Sequence, residues 1–178
     1  MDEDFKINKE YTQYEVSNLG RIRNIKTGRF LKPAIINKGY HSLMMHKDSI
    51  NRHITLKLHR IVAETYLIKI PNFVIDHIDN NKNNNSSKNL QYVSNRYNIV
   101  KQKLYSEKGF IRVRNGVKGK TYTIEYRVPN YKRISYTSKK LLDCINYYCL
   151  KMDKIDKSVA ELVRNFYKIM DNTERGQI

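Results

Sequence analysis

Acid, sulfur and long apolar runs are what this sequence has little of. Its 178 residues hold 17 Asp+Glu against 34 Lys+Arg, a formal net charge of +17 at pH 7. There is no tryptophan, and there are only 3 prolines, 7 glycines and 2 cysteines. The cysteines, Cys144 and Cys149, form no CxxC pair, so they fit buried packing better than a disulfide or a zinc site. No run approaches the ~20 apolar residues of a membrane span. Residues Met1 to Lys9 carry no basic amphipathic pattern, no lipid-anchor signal and no secretory core, so neither a membrane nor secretion is expected.

What is present is base. The excess is concentrated in residues 13–72, at +8, and 104–137, at +6, on either side of a stretch at +3 over 73–103. Charge of this size acts at long range on polyanions. Two basic flanks around a less charged centre suit a protein that holds a phosphate backbone and acts on it between them.

Residues 13–58 alternate apolar and polar side chains in short runs, Tyr14 to Ser17, Arg21 to Asn24, Tyr40 to Met45 and His53 to Leu58. Turns fall at Thr27-Gly28 and Lys38-Gly39, which predicts one small antiparallel sheet. Period two sets Arg21 and Arg23 on one strand face, either straddling phosphates or forming a solvated outer surface. Leu58, Ile61, Val62 and Tyr66 then fall at helical spacing, with Pro71 as the expected stop. Phe73 to Ile78 and Leu90 to Val93 read as strands joined by an ordered loop, 79–89, rich in asparagine. A helix follows over 94–104.

The C-terminal part predicts three strands, Gly109 to Asn115, Tyr122 to Val128 and Tyr131 to Tyr136, with turns at 116–119 and Pro129-Asn130. Two helices follow, Lys139 to Lys151 with Ser138 as N-cap, and Ser158 to Met170. Leu142, Ile145, Tyr148 and Cys149 form the expected apolar stripe of the first. Arg112, Arg114, Lys118, Lys120, Arg127, Lys132 and Arg133 crowd the strands among Tyr122, Tyr126 and Tyr131, which suits a sheet laid on DNA. Some of these tyrosines are expected to be strand packing instead.

The chemistry concentrates in Asp76-His77-Ile78-Asp79, Asn89 and Asn98. A carboxylate and an amide oxygen are hard ligands for Mg²⁺, and a neutral imidazole takes a proton from water near pH 7. Here the sequence resembles the HNH homing endonucleases of the His-Me finger, or ββα-metal, fold, of the kind encoded by phage introns. The resemblance runs through His59-Arg60-Ile61-Val62-Ala63, Val74 to Asn85, Ser87-Lys88-Asn89-Leu90-Gln91-Tyr92-Val93 and Asn98. Upstream, Tyr14 to Ile22 resembles the small DNA-binding module that precedes this nuclease core in many such enzymes. Together these cover roughly residues 10–100. The C-terminal strands and helix resemble the Apetala-type DNA-binding fold.

The resemblance implies roles. Asp76 and Asn98 hold one divalent metal, Mg²⁺ or Mn²⁺, with the scissile phosphate; His77 is the general base. Asn89, the other catalytic candidate, ties the loop. Zinc is not expected. His59 is expected as a structural hydrogen-bonding residue near the site, and Asp79 as a loop cap. His41, His46 and His53 are expected at the surface or on DNA. Asn80 stands where the family usually has Gly, though Asn also tolerates left-handed backbone. Tyr92 stands for a usual Trp and Gln91 for a usual Arg, which puts one phosphate contact in question.

The expected architecture is therefore α+β, in three parts: an N-terminal DNA-binding module (10–57), a nuclease core (58–104) and an Apetala-like domain (109–171). The expected function is site-specific hydrolysis of DNA, as a nick or a double-strand cut, by a monomer on double-stranded DNA in the cytoplasm, or in that of a host if virus-encoded. DNA contacts are assigned to Arg21, Arg23, Arg112, Arg114, Arg127, Lys132 and Arg133. The alternatives are a non-catalytic DNA-binding regulator that keeps the nuclease fold, an RNA-binding or RNA-processing protein, and, within the nuclease class, a restriction enzyme.

Overall fold

Short alternating strands separated by glycine and asparagine turns build the N-terminal half, and helices close it. In the computed structural model, residues 2–106, 111–117, 119–126 and 134–175 are described. The chain divides into two units, Met1–Ser94 and Asn95–Ile178. The architecture is α+β, as expected, with antiparallel sheets throughout the described residues.

The first unit holds two three-stranded sheets where the alternation predicts one. β1 (Phe5–Ile7), β2 (Tyr14–Ser17) and β3 (Ile22–Asn24) form the first; β4 (Ala34–Ile36), β5 (Tyr40–Lys47) and β6 (Arg52–Lys57) form the second. The split follows from the sequence between them. Asn24 closes a turn on Gly28, whose φ of +67° favours glycine, and the chain leaves the first sheet after Phe30 pairs with Arg23. β1 lies ahead of the expected module because three residues are too few to show a period.

α1 (Leu58–Tyr66) lays Leu58, Ile61, Val62 and Ala63 on a core shared with Tyr11, Tyr14, Val16, Ile22, Leu43, Met45 and Leu90. The helix ends at Tyr66, well before Pro71. Leu67 turns extended, and its N–H still closes on the Ala63 carbonyl at 2.8 Å. The buried stripe runs out there, so nothing rewards another turn: Ile68 is 90% exposed. The Tyr66 hydroxyl lies 2.7 Å from the Asp4 carbonyl and 2.8 Å from that of Val16, tying helix end, N-terminus and first sheet together. β7 (Val74–His77) and β8 (Leu90–Val93) then pair antiparallel, with Asp76 opposite Gln91 and His77 opposite Leu90.

The second unit begins with α2 (Asn95–Leu104), which carries Asn98. β9 (Arg112–Gly116), β10 (Gly119–Tyr126) and β11 (Ile134–Ser138) form a sheet in the order β11-β10-β9, followed by α3 (Leu141–Met152) and α4 (Lys157–Arg175). Their core gathers Val100, Leu104, Ile124, Cys144, Ile145, Tyr148, Cys149, Met152, Val159 and Val163. Both cysteines are free and buried, and burial raises both thiol pKa values.

Two expectations for α3 need correction. It starts at Leu141 rather than Lys139, because Ser138 is still in β11; the Ser138 hydroxyl accepts the Lys140 N–H (3.1 Å) and donates to the Asp143 carboxylate (2.7 Å). Leu142 is 63% exposed and not part of the stripe; the buried face runs through Cys144, Ile145, Tyr148, Cys149 and Met152. α4 runs longer than the expected 158–170.

Candidate active site

Strand β7 ends at a polar loop, and its last two residues are the buried candidates Asp76 and His77. Asp76, His77, Asn85 and Asn89 are all buried, at 4–9% exposure, unusual for such polar side chains unless each is paired. The loop and the facing strand β8 supply partners.

Asp79 is its hub. Its Oδ1 accepts the Asn81 N–H (2.8 Å) and the Asn89 side-chain amide (2.8 Å), and its Oδ2 accepts from Asn84 Nδ2 (2.8 Å). Desolvation opposes ionisation of Asp79, but donors from Asn84, the Asn81 backbone and Asn89 outweigh it and hold the carboxyl below its usual pKa. Asn89 answers in both directions: Oδ1 accepts the Asp79 N–H (3.1 Å) and Nδ2 also reaches the Asn84 carbonyl (2.8 Å). The contacts of Asp79 are therefore those of a loop cap and those of Asn89 are those of a loop tie. Asn80 takes φ +62°, the left-handed conformation that asparagine tolerates.

Asn85 fixes the histidine. Its Nδ2 donates to the Lys82 (3.2 Å) and Asn83 (3.1 Å) carbonyls, so its Oδ1 is the atom facing His77 Nε2, at 3.2 Å. An oxygen there requires a proton on Nε2, which makes Nδ1 the acceptor nitrogen of the neutral ring. Asp76 is fixed across the strand pair: Oδ2 accepts from Gln91 Nε2 at 3.0 Å. Where an arginine is usual in the resembling family, a neutral amide orients the carboxylate here.

His59, from α1, stacks edge-on to His77, with ring centroids 5.2 Å apart, and Tyr40 lies 5.1 Å from His59 and 6.2 Å from His77. His59 Nδ1 is buried and, among the described residues, without a hydrogen-bond partner. Burial, with lesser help from the charges of His77, Lys57 and Arg60, pushes the His59 pKa down to about 3, so the ring is neutral at working pH. In this structure it packs against His77 and Tyr40. The ammonium groups of Lys57 and Lys82 each sit 4.8 Å from the Tyr40 ring centre, bringing positive charge beside the two histidines.

The donor chemistry around Asp76 fits a hard cation. Mg²⁺ commonly takes one or two carboxylates together with water and substrate oxygens, and Asp76 would supply the carboxylate. Asn98, the expected second ligand, stands on α2 in the second unit, where its Oδ1 accepts from Gln102 Nε2 (3.1 Å).

The basic candidates fare differently. Arg21 is ion-paired with Glu3 and its guanidinium lies 4.7 Å from the Phe30 ring centre; Arg23 pairs with Glu15 at 2.7 Å and lies 4.3 Å from that of Phe5. Hydrogen bonds from Arg21 and Ser17 pull Glu3 down to a pKa of about 2. Arg112 and Arg114 are exposed on β9, with Arg112 3.6 Å from Glu125. Arg127, Lys132, Arg133, Lys118 and Tyr131 lie outside the described residues. Tyr122 packs against the core of the second unit. His46 and His53 face each other across β5–β6, rings 5.0 Å apart, and His46 Nδ1 contacts Asp48 at 3.0 Å.

The sequence alone assigns no role to Asn85 or Tyr40, and it marks Gln91 as a departure at a phosphate contact rather than as the partner of Asp76. Asn85 is hidden as one of several loop asparagines. Gln91 was legible from its register opposite Asp76, and Tyr40 lies 19 positions before His59 with no local motif to link them.

Two segments of the chain match known families. Residues 3–46 match the NUMOD4 motif and residues 56–100 match an HNH endonuclease family model. The chain is 38% identical over 90 residues to the DNA endonuclease I-HmuI of Bacillus phage SP01, covering 50% of this chain and 51% of that protein. It is 37% identical over 89 residues to an uncharacterized HNH endonuclease, L245, of Acanthamoeba polyphaga mimivirus, covering 49% of this chain and 26% of that one. The match thus spans about half or less of these relatives' length. A solved structure of DNA binding and cleavage by the HNH homing endonuclease I-HmuI is similar over 84% of this chain and 83% of its own, with a TM-score of 0.50 and 25% identity. With an Asp-His strand end, an asparagine-tied loop and both matches in chain order, residues 56–100 are those of an HNH endonuclease segment, with a NUMOD4 motif ahead of it over residues 3–46.

Proposed function

We propose that the chain is a site-specific homing endonuclease that hydrolyses phosphodiester bonds of double-stranded DNA, with His77 as general base. The observation that carries this is the lock on His77. Asn85 Oδ1 at 3.2 Å from Nε2 selects one tautomer, so the lone pair of the neutral ring is on Nδ1, the nitrogen that would accept a proton from attacking water. His59 beside it stays neutral and so does not repel the proton that His77 acquires. Lys57 and Lys82 hold positive charge near the ring, where a phosphate oxygen is favoured.

Asp76, oriented by Gln91, is the proposed metal ligand, together with Asn98 as the sequence resemblance implies. One Mg²⁺ or Mn²⁺ bound there would stabilise charge developing on the phosphate and on the leaving 3′ oxygen. The similarity to a phage DNA endonuclease and to a structure of DNA binding and cleavage supports DNA as the substrate. The +17 charge supports a polyanion. The exposed Arg112 and Arg114, on a sheet of the second unit, are the proposed backbone contacts there. Acting inside a cell or host, as a monomer with one such histidine, the protein would cut one strand per encounter.

The test is conversion of supercoiled plasmid DNA to nicked circles by the purified chain, with Mg²⁺, with EDTA, and with Asp76→Ala. Nicking that needs Mg²⁺ and is lost in the variant is expected. Tight DNA binding without nicking in Mg²⁺ or Mn²⁺ on DNA that contains the bound site would instead identify a non-catalytic regulator.

A further inference from the structure

The N-terminal module touches the catalytic loop itself. The turn Ser17–Gly20 closes with Gly20 N–H on the Ser17 carbonyl (3.0 Å), and the Asn18 carbonyl accepts the Ser87 N–H at 2.8 Å. Gly20 has φ +89°, and a Cβ built on it would come within 3.1 Å of both Asn85 Cβ and the Asn85 carbonyl oxygen. That glycine is therefore doubly required, by its backbone conformation and by the loop it meets. Asn85, in turn, is the residue whose oxygen holds His77 Nε2.

The turn is itself braced from behind. Asn18 N–H donates to the Asp4 carbonyl (3.0 Å), Asn18 Oδ1 accepts the Asp4 N–H (3.1 Å), and the Ser17 hydroxyl accepts the Leu19 N–H (2.9 Å) while donating to Glu3. A continuous set of contacts thus runs from residues 3–4, through the Ser17–Gly20 turn, to Asn85 and Ser87, and ends at the histidine ring.

We infer that the Ser17–Gly20 turn is a positioning element for His77, seating Asn85 and the 3₁₀ turn at Ser87–Asn89, so that the NUMOD4 segment acts in the chemical step in addition to any DNA contact. This rests on His77 as the base. Gly20 and Asn18 are positioning residues; neither touches the reacting atoms.

Single-turnover nicking of supercoiled plasmid DNA in Mg²⁺ by the full chain, with DNA affinity measured in parallel, tests it. Gly20→Ala adds a Cβ against Asn85. Gly28→Ala is its control, since Gly28 also has positive φ, +67°, but a Cβ there meets nothing within 4 Å. Ser87→Pro removes the N–H that Asn18 accepts, with little backbone cost. Proline suits the first position of the turn, and Ser86, at φ −62° and ψ 140°, already has a pre-proline conformation. Ser87→Ala keeps that N–H and should behave as the native chain.

Since an ångström of misplacement can cost about 10²-fold, Gly20→Ala and Ser87→Pro should each slow nicking of bound DNA roughly tenfold or more, with affinity unchanged. Gly28→Ala and Ser87→Ala should not. Asn85→Ala added to Gly20→Ala should cost little further, because both act through one contact. The inference is overturned if Gly20→Ala and Ser87→Pro cut bound DNA at the native rate, if they lose only affinity, or if the Gly20 and Asn85 effects are fully additive. Should Gly20→Ala fail to fold, Ser87→Pro against Ser87→Ala decides alone. His77→Ala cutting at the native rate would refute the base assignment instead, a separate result.

Discussion

Asp76 and His77 are each met by an amide side chain, and the two amides do different work. Gln91 donates to Asp76 and so holds its carboxylate in place. Removing such an outer partner typically weakens metal binding 10–100-fold. Gln91→Leu should therefore raise the Mg²⁺ concentration for half-maximal nicking by about tenfold or more, read from a metal titration, with DNA affinity unchanged. His59 makes a prediction of the opposite kind, on stability. Its folded pKa, pushed down to about 3 by burial, lies below the ordinary 6.5 of a histidine, so the unfolded chain takes the proton first. The stability contributed by a neutral His59 is complete above pH 6.5 and is lost progressively as pH falls from there toward 3. Chemical denaturation of the native chain and His59→Phe across pH 7 to 4 should show a shallower loss in the variant.

At the scale of elements, α1 and the loop carry the fold of the first unit. Ile61 is 1% exposed in the core that α1 shares with both sheets. Ile61→Ala should destabilise that unit by about 2–5 kcal/mol in denaturant titration, the usual cost of truncating a buried isoleucine. The helices, β5 to β8 and the asparagine loop were legible because apolar period, turn residues and motif spacing agree there. What was not legible came from contacts distant in sequence. Division of the N-terminal strands into two sheets depends on pairing, β1 is too short to show alternation, and the end of α1 is set by an exhausted apolar stripe rather than by Pro71. Asp76, His77, Asn89 and Asp79 stood out as a local motif. Asn85, by contrast, is distinguished from its neighbouring asparagines only by where its side chain points.

For the whole molecule, charge decides encounter. A chain at +17 that neutralises six or more phosphates should lose about 10³-fold in DNA affinity between 50 and 200 mM salt. Within that slope the arginines should differ. Arg21 is already ion-paired with Glu3, whereas Arg114 lies exposed on β9, so Arg114→Ala should flatten the salt dependence by about one unit and Arg21→Ala by less. With His77 as the proposed base, DNA binding serves cutting at that histidine. The most direct measurement mixes pre-formed complexes of DNA with the native chain or His77→Ala with Mg²⁺ and follows strand scission in a single turnover, with affinity measured beforehand. Undiminished binding with scission slowed about 10²–10⁴-fold in the variant is the predicted result. Scission at the native rate by His77→Ala would contradict it.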